Sequence, residues 1–203
     1  MNVTLKSKNN PKIGVDELWF AKLVKDIAGE EPEYDVPMKM PGAVSVAFNP
    51  NSQSAPFYAD NVVYASAAQT GDLTATLGIA DAPPEVRAIW FGLQYENGVL
   101  LEGQINPPDM AFAYRVKKSD NAYRYFWLMK SKASPPSETI NTQGSSMSYQ
   151  TDSVTVNCAV LQSLGIYRRV LDDDDPNLPE GTTPAMIYEN WFTSPLWEPE
   201  VMA

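Results

Sequence analysis

The chain has 203 residues, 44% of them hydrophobic, which suits one domain or one domain with long arms. It carries 15 basic and 25 acidic residues, a net charge of −10, and no histidine. That absence removes the commonest general base, the commonest metal ligand and every serine–histidine or cysteine–histidine catalytic arrangement. A single cysteine excludes an internal disulfide framework and a cysteine-cluster zinc site, and a surface this acidic should repel nucleic acid rather than grip its phosphates.

The first twelve residues are polar with scattered lysines and lack the apolar segment of a secretory signal. Nothing approaches the roughly 18–20 apolar residues of a membrane helix. The chain is therefore expected to be made and kept in a cytoplasm unless it leaves inside something larger, with no membrane among its partners. Residues 16–24 are a first predicted strand, with Leu18, Phe20 and Leu23 apolar, followed by a polar loop over 28–35. Pro41-Gly42 signals a turn. Val44, Val46 and Phe48 then alternate with Ala43, Ser45 and Ala47, a half-buried strand that Asn49-Pro50-Asn51-Ser52 breaks. Residues 57–65 read as one strand and Gln69-Thr70-Gly71-Asp72 as a turn. Leu73, Ala75, Leu77 and Ile79 then alternate with Thr74, Thr76 and Gly78.

A helix is predicted over residues 82–91. Asp81 is its expected cap, Pro83 and Pro84 stand in the first turn, and Val86, Ile89, Trp90 and Leu93 recur at helical spacing before Gly92 ends it. Met110, Phe112, Tyr114 and Val116, a Ser119-Asp120-Asn121 turn, and Tyr123, Tyr125, Trp127 and Met129 together read as a β-hairpin. A long polar loop spans 134–150. Strands follow at Val154, Val156, Cys158 and Val160, with Cys158 expected as a buried core residue, and over 165–170. Thr183-Pro184 opens a second short helix, 184–192, carrying Ile187, Tyr188 and Trp191. The tail, 193–203, is expected to be extended and keeps Leu196, Trp197 and Val201. The fold class is mainly β and mostly antiparallel, with one flanking α-helix and a short C-terminal helix. It is read as one domain over residues 1–203, with an N-terminal arm (about 1–14), a long loop (about 134–150) and a C-terminal arm (about 172–203).

The motifs that resemble chemistry have plainer readings. No glycine-rich phosphate loop occurs, and Gly181-Thr182-Thr183 lacks the lysine that such a turn needs. Asp172-Asp173-Asp174-Asp175 has Pro176 where a calcium loop would place its third alternate ligand, so it reads as a solvated acidic turn, with a weak cation site as the alternative. Asn2-Val3-Thr4 matches a glycosylation acceptor by chance. The aromatic strand 123–127 reads as cross-strand packing rather than a base-stacking platform. Glu30, Glu31, Glu33 and Asp35 lie in a polar loop with no apolar surroundings to raise a pKa. No cofactor, metal or catalytic residue is expected.

Several local signatures occur together and in order: Pro41-Gly42-Ala43-Val44-Ser45-Val46, the Asn49-Pro50 break, Phe57-Tyr58-Ala59-Asp60-Asn61, and Leu73-Thr74-Ala75-Thr76-Leu77 running into Pro83-Pro84-Glu85-Val86. Tyr123-Arg124-Tyr125-Phe126-Trp127-Leu128, Pro136-Ser137-Glu138 and Asn190-Trp191-Phe192 follow. Over roughly residues 13–195 the chain resembles the phi13-type major tail (tail-tube) proteins of siphophages that infect Gram-positive bacteria. The resemblance implies a tail-tube β-sandwich or partial barrel, and a virion protein assembled in the bacterial host cytoplasm. Its partners would be copies of itself in stacked hexameric rings, the tape-measure protein, the tail terminator and the distal tail or baseplate proteins, with double-stranded DNA passing through without sticking. It also implies subunit or ring contacts at Pro136, Ser137, Glu138, Trp191, Phe192 and Trp197, and lumen-facing positions at Asp60, Asn61, Thr74 and Thr76.

Six subunits giving four strands each would make a barrel of about 24 strands with a bore of roughly 35–40 Å between side chains, wide enough for duplex DNA and a water layer. An acidic lumen would hold no phosphates. Residues 144–149 and 171–180 depart from the family's usual pattern, the first in the loop expected to meet the next ring, the second as a surface feature. The competing readings are another ring-forming tail component (a terminator or baseplate hub, or a capsid protein), a carbohydrate-binding β-sandwich using the five tryptophans, and a carboxylate-only enzyme.

Overall fold

The computed structural model describes residues 8–51, 53–59, 62–69, 71–138, 140–142 and 149–200. In chain order the elements are β1 (Lys12–Lys25), β2 (Glu33–Tyr34), β3 (Met38–Met40), β4 (Ala43–Asn49), β5 (Gln53–Ala59), β6 (Val62–Gln69), β7 (Leu73–Ile79) and α1 (Pro84–Phe91). Then come β8 (Gln94–Glu96), β9 (Val99–Leu101), β10 (Met110–Lys118), β11 (Tyr123–Ser134), β12 (Asp152–Cys158), β13 (Arg168–Asp172) and α2 (Pro184–Trp191). The protein is mainly β.

One antiparallel sheet dominates, in the order β2-β1-β10-β11-β12-β7-β4, with β3 on β1 and β13 on β11. The sheet forks at β11: Arg124–Leu128 pair with β13, whereas Ser131–Ser134 pair with β12. Beyond the fork it curls until β4, the last strand, lies against β1 without joining it. The result is a partial barrel with an open seam between β1 and β4.

The two faces are filled separately. On the concave side Leu18, Phe20, Leu77, Ile79, Phe112, Leu128, Val154 and Val156 pack beneath α1. Trp90 of α1 is fully buried and stands edge-on to Phe20 and Phe112, with centroids 5.5 and 5.3 Å away. Truncating an aromatic in such a core costs about 3–5 kcal/mol. On the other side of β1, β10 and β11, Ala111, Ala113, Tyr125, Trp127 and Met129 pack beneath α2 and the chain after it.

A bulge makes this two-sided core possible in β1. Pairing with β10 slips between Asp16 and Trp19, and Glu17 takes φ 55°. The extra residue resets the alternation, so Val15, Leu18 and Phe20 all reach the concave core while Trp19 and Leu23 pack on the other face. Glu17 is held there by Lys39 Nζ (2.9 Å), Trp19 Nε1 (3.1 Å) and the Tyr188 hydroxyl (3.2 Å), all donating to its carboxylate.

Several expectations change. Residues 57–65 are not one strand. β5 and β6 form a separate two-stranded sheet in which Phe57 pairs with Ala65. α1 begins at Pro84, with Pro83 at the cap position and no side-chain cap, so Asp81 does not cap it. Gly92 does end it, at φ 67°, a left-handed conformation that glycine adopts without strain. Thr183 caps α2, its Oγ1 accepting the Met186 N–H at 3.3 Å. Cys158 is half-buried rather than buried, and Val160 lies beyond the strand end, exposed. The strand expected over 165–170 is displaced to Arg168–Asp172. As far as residue 200 the tail is not simply extended: Trp197 N–H donates to the Ser194 carbonyl, closing a turn.

Candidate assembly surfaces

Strands β4, β7 and β12 present an outer face that the core does not use. The register places Ser45, Gly78 and Ser153 in one row, Ala47, Thr76, Thr155 and Ser134 in the next, and Asn49, Thr74, Asn157 and Lys132 in a third. Leu73, Ala75, Leu77 and Ile79 point the other way and are buried. Every side chain in the three rows is small or polar, none is a carboxylate, and Lys132 supplies the one charge. A Cβ at Gly78 would meet Ser45 Oγ, so a larger residue there would make the Ser45 hydroxyl rotate away. Thr74 and Thr76 therefore lie on a hydrogen-bonding surface whose one charge is Lys132. It is not the acidic surface expected of a lumen. Asp60 and Asn61 lie outside the described residues.

The start of the 134–150 loop is tied down. Pro136 is half-buried and Ser137 and Glu138 are exposed. The Glu138 carboxylate pairs with Arg87 of α1, and Arg87 also meets Glu102 at 3.1 Å. The loop thus leaves β11 clamped to the helix that plugs the concave core.

Trp191 and Phe192 are internal to the subunit, not contacts with another. Trp191 is 1% exposed and Phe192 4%. The Trp127 indole N–H donates to the Trp191 carbonyl at 3.0 Å, and Phe192 stacks on Trp19 at 5.4 Å. Trp197, half-buried, meets Trp191 edge-on at 6.4 Å. Arg169 on β13 holds this return of the chain, donating to the Pro195 carbonyl at 2.5 Å and the Trp197 carbonyl at 3.0 Å. As far as residue 200, the segment read as a C-terminal arm packs on its own sheet. The physical reason is the i, i+4 pair Ile187 and Trp191, an apolar face that buries on the nearest apolar sheet surface.

The acidic run is likewise structural. Lys118, 2% exposed, donates to Asp172 Oδ2 at 3.0 Å and to Asp174. Arg124 grips Asp172 with both arms of its fork, Nη2 at 2.7 Å. Burial opposes the Asp172 charge, yet Arg124 and Lys118 hold its carboxyl below the usual range. Asp173 accepts the Tyr123 N–H at 2.8 Å and is pushed upward by burial and by its neighbour Asp174. This run locks β13 onto the β10–β11 hairpin; it is not a solvated turn or a free surface feature.

A second lock joins loops far apart in sequence. Asp26 accepts Lys130 Nζ at 2.8 Å and the N–H groups of Gln162 and Ser163 at 3.0 and 2.9 Å. Burial works against its charge, but these donors together hold the carboxyl far below its ordinary value.

Among the described residues no three His, Cys, Asp or Glu side chains are placed to hold a metal, and no helix is long and apolar enough to cross a membrane. Cys158 accepts from Ser131 Oγ at 3.3 Å, and burial pushes its thiol up. No protein-family model matches the chain, and no curated protein matches it either.

Proposed function

We propose that this chain is a structural virion protein without catalytic function, a siphophage major tail protein that self-assembles into stacked hexameric rings forming the tube through which viral DNA reaches the host. The observation that carries the reading is the β5–β6 hairpin. It is a two-stranded sheet outside the nine-stranded one, inserted between two strands, β4 and β7, that pair with each other. An isolated hairpin is marginal in water, and its outer edges are rows of unpaired N–H and C=O groups. A subunit that carries one is built to place it against another chain. The free edge of β4 and the Ser/Thr/Asn face beside it support the same reading, since that face offers neither apolar surface nor a basic trap for phosphates.

The partners in this reading are copies of the chain, the tape-measure protein, the terminator and the distal tail proteins. Assembly in the host cytoplasm and residence in the virion tail belong to the same proposal. The carbohydrate-binding alternative is weakened by the tryptophans: Trp90, Trp127 and Trp191 are buried and Trp19 and Trp197 half-buried, all of them packed into one core or the other.

Negative-stain electron microscopy of the purified protein at high concentration tests the proposal. Long tubes of uniform bore are expected. Single rings would move the assignment to a terminator or baseplate hub, and a monomer at every concentration would overturn self-assembly.

A further inference from the structure

The chain has five arginines, and four of them face carboxylates: Arg87 meets Glu102 and Glu138, Arg115 meets Asp16, Arg124 meets Asp172 and Arg169 meets Glu198. Arg168 has no such partner among the described residues. Its guanidinium instead lies over the Phe48 ring at 4.5 Å and the Phe126 ring at 5.7 Å. Lys12, also without a carboxylate among the described residues, lies over the Phe126 ring at 5.6 Å. The nearby Asp172 and Asp174 are already engaged by Arg124 and Lys118. Among the described residues Arg168 is thus the one arginine without a carboxylate partner, and it shares its aromatic neighbour with a second unpaired cation.

They line a cleft of about 450 Å³ in the seam between β1 and β4, with Phe48, Tyr114 and Phe126 among its walls and the exposed side chain of Val44 at its rim. Among the described residues no carboxylate lines it. Among the described residues both strands bordering it have a free edge: β4 pairs only with β7, and residues 12–16 of β1 pair only with β10. The cleft therefore combines two cations, an aromatic floor and unpaired backbone groups. Those three features suit an extended segment that carries a carboxylate and an apolar neighbour.

We propose that the β1–β4 seam receives such a segment from a second copy of this chain, its carboxylate held between Lys12 and Arg168. A second copy is the occupant because the chain itself supplies the complementary charge, 25 acidic residues against 15 basic. The inference rests on the self-assembly reading only in requiring that copies meet; it does not require rings or tubes.

The test uses the full chain, one half of the preparation labelled with nitrogen-15, and a carbodiimide, which joins an amine directly to a carboxylate. In the mixed assembly Lys12 is expected in cross-links between labelled and unlabelled peptides. Arg168→Gln and Lys12→Gln together are expected to raise the concentration needed for assembly by about tenfold while the melting temperature of the monomer is kept. Lys12 cross-links confined to peptides of one label would show that the chain's own acids fill the seam and would overturn the proposal. Assembly of the double variant at the wild-type concentration would overturn it too, leaving the tail-tube reading standing. Mixed-label cross-links in a particle that never forms tubes would keep the seam and remove the tube. A wild-type chain that stays monomeric would remove both.

Discussion

Asp173 lies between Asp172 and Asp174 and is 8% exposed. Its backbone donor from Tyr123 favours the charged form, but burial and the adjacent carboxylates outweigh it, so its pKa is raised. For an acid the sign then follows. At neutral pH the ionised group weakens the folded state; below the ordinary carboxyl value of about 4 both states are protonated and the penalty vanishes. Asp173→Asn keeps the oxygen that accepts the Tyr123 N–H and removes the charge. It should raise the melting temperature by a few degrees at pH 7, with the gain over wild type shrinking as pH falls toward 4. Thermal melts across that range check it; a loss of stability at pH 7 would show that the charge is needed by Lys118. None of this was legible in Asp172-Asp173-Asp174-Asp175. Four acids in a row before a proline look solvated, and only the fold brings Lys118 and Arg124, 54 and 48 residues away, onto them.

At the scale of elements, the sequence was most readable where one periodicity held throughout. Leu73, Ala75, Leu77 and Ile79 are the buried set of β7, and Gly92 ends α1, as alternation and helix-stop chemistry predict. Reading failed where a strand is interrupted. Residues 57–65 are apolar enough to pass for one strand because nothing local marks where one strand ends and its partner begins. The β8–β9 hairpin was missed although Asn97-Gly98, at φ 52° and 82°, is the strongest short hairpin signal. The β5–β6 hairpin yields a direct prediction. Replacing residues 53–69 by a two-residue turn should leave far-ultraviolet circular dichroism and melting temperature close to wild type, because neither strand belongs to the main sheet. Tubes should be lost. Tubes of normal length from the deletion would show that the hairpin is not a contact.

For the whole molecule, charge and shape act separately. The net charge of −10 belongs to the entire surface, yet the β4–β7–β12 face carries no carboxylate, because its outward positions are Ser, Thr, Asn, Ala and Gly with Lys132 the one charge. A conduit needs only a bore that does not hold phosphates, and a hydrogen-bonding wall meets that condition as an acidic one does. Assembled protein should therefore leave the gel mobility of short duplex DNA unchanged at low salt, where electrostatic binding is strongest. A retarded band would point to a basic surface made on assembly.

Composition alone determined that histidine-based catalysis, disulfide frameworks and cysteine-cluster zinc sites are excluded. Alternation and turn chemistry determined a mainly β chain with two short helices, because side-chain period is a local property. What only the tertiary structure decided is which surfaces remain for a partner. Trp191 and Phe192, read as contacts, are spent on the subunit's own core, since an apolar helix face buries on the first sheet it can reach. Arg168 without a carboxylate among the described residues, the open seam and the separate hairpin became visible only once the strands and the other four arginines had been placed against their neighbours.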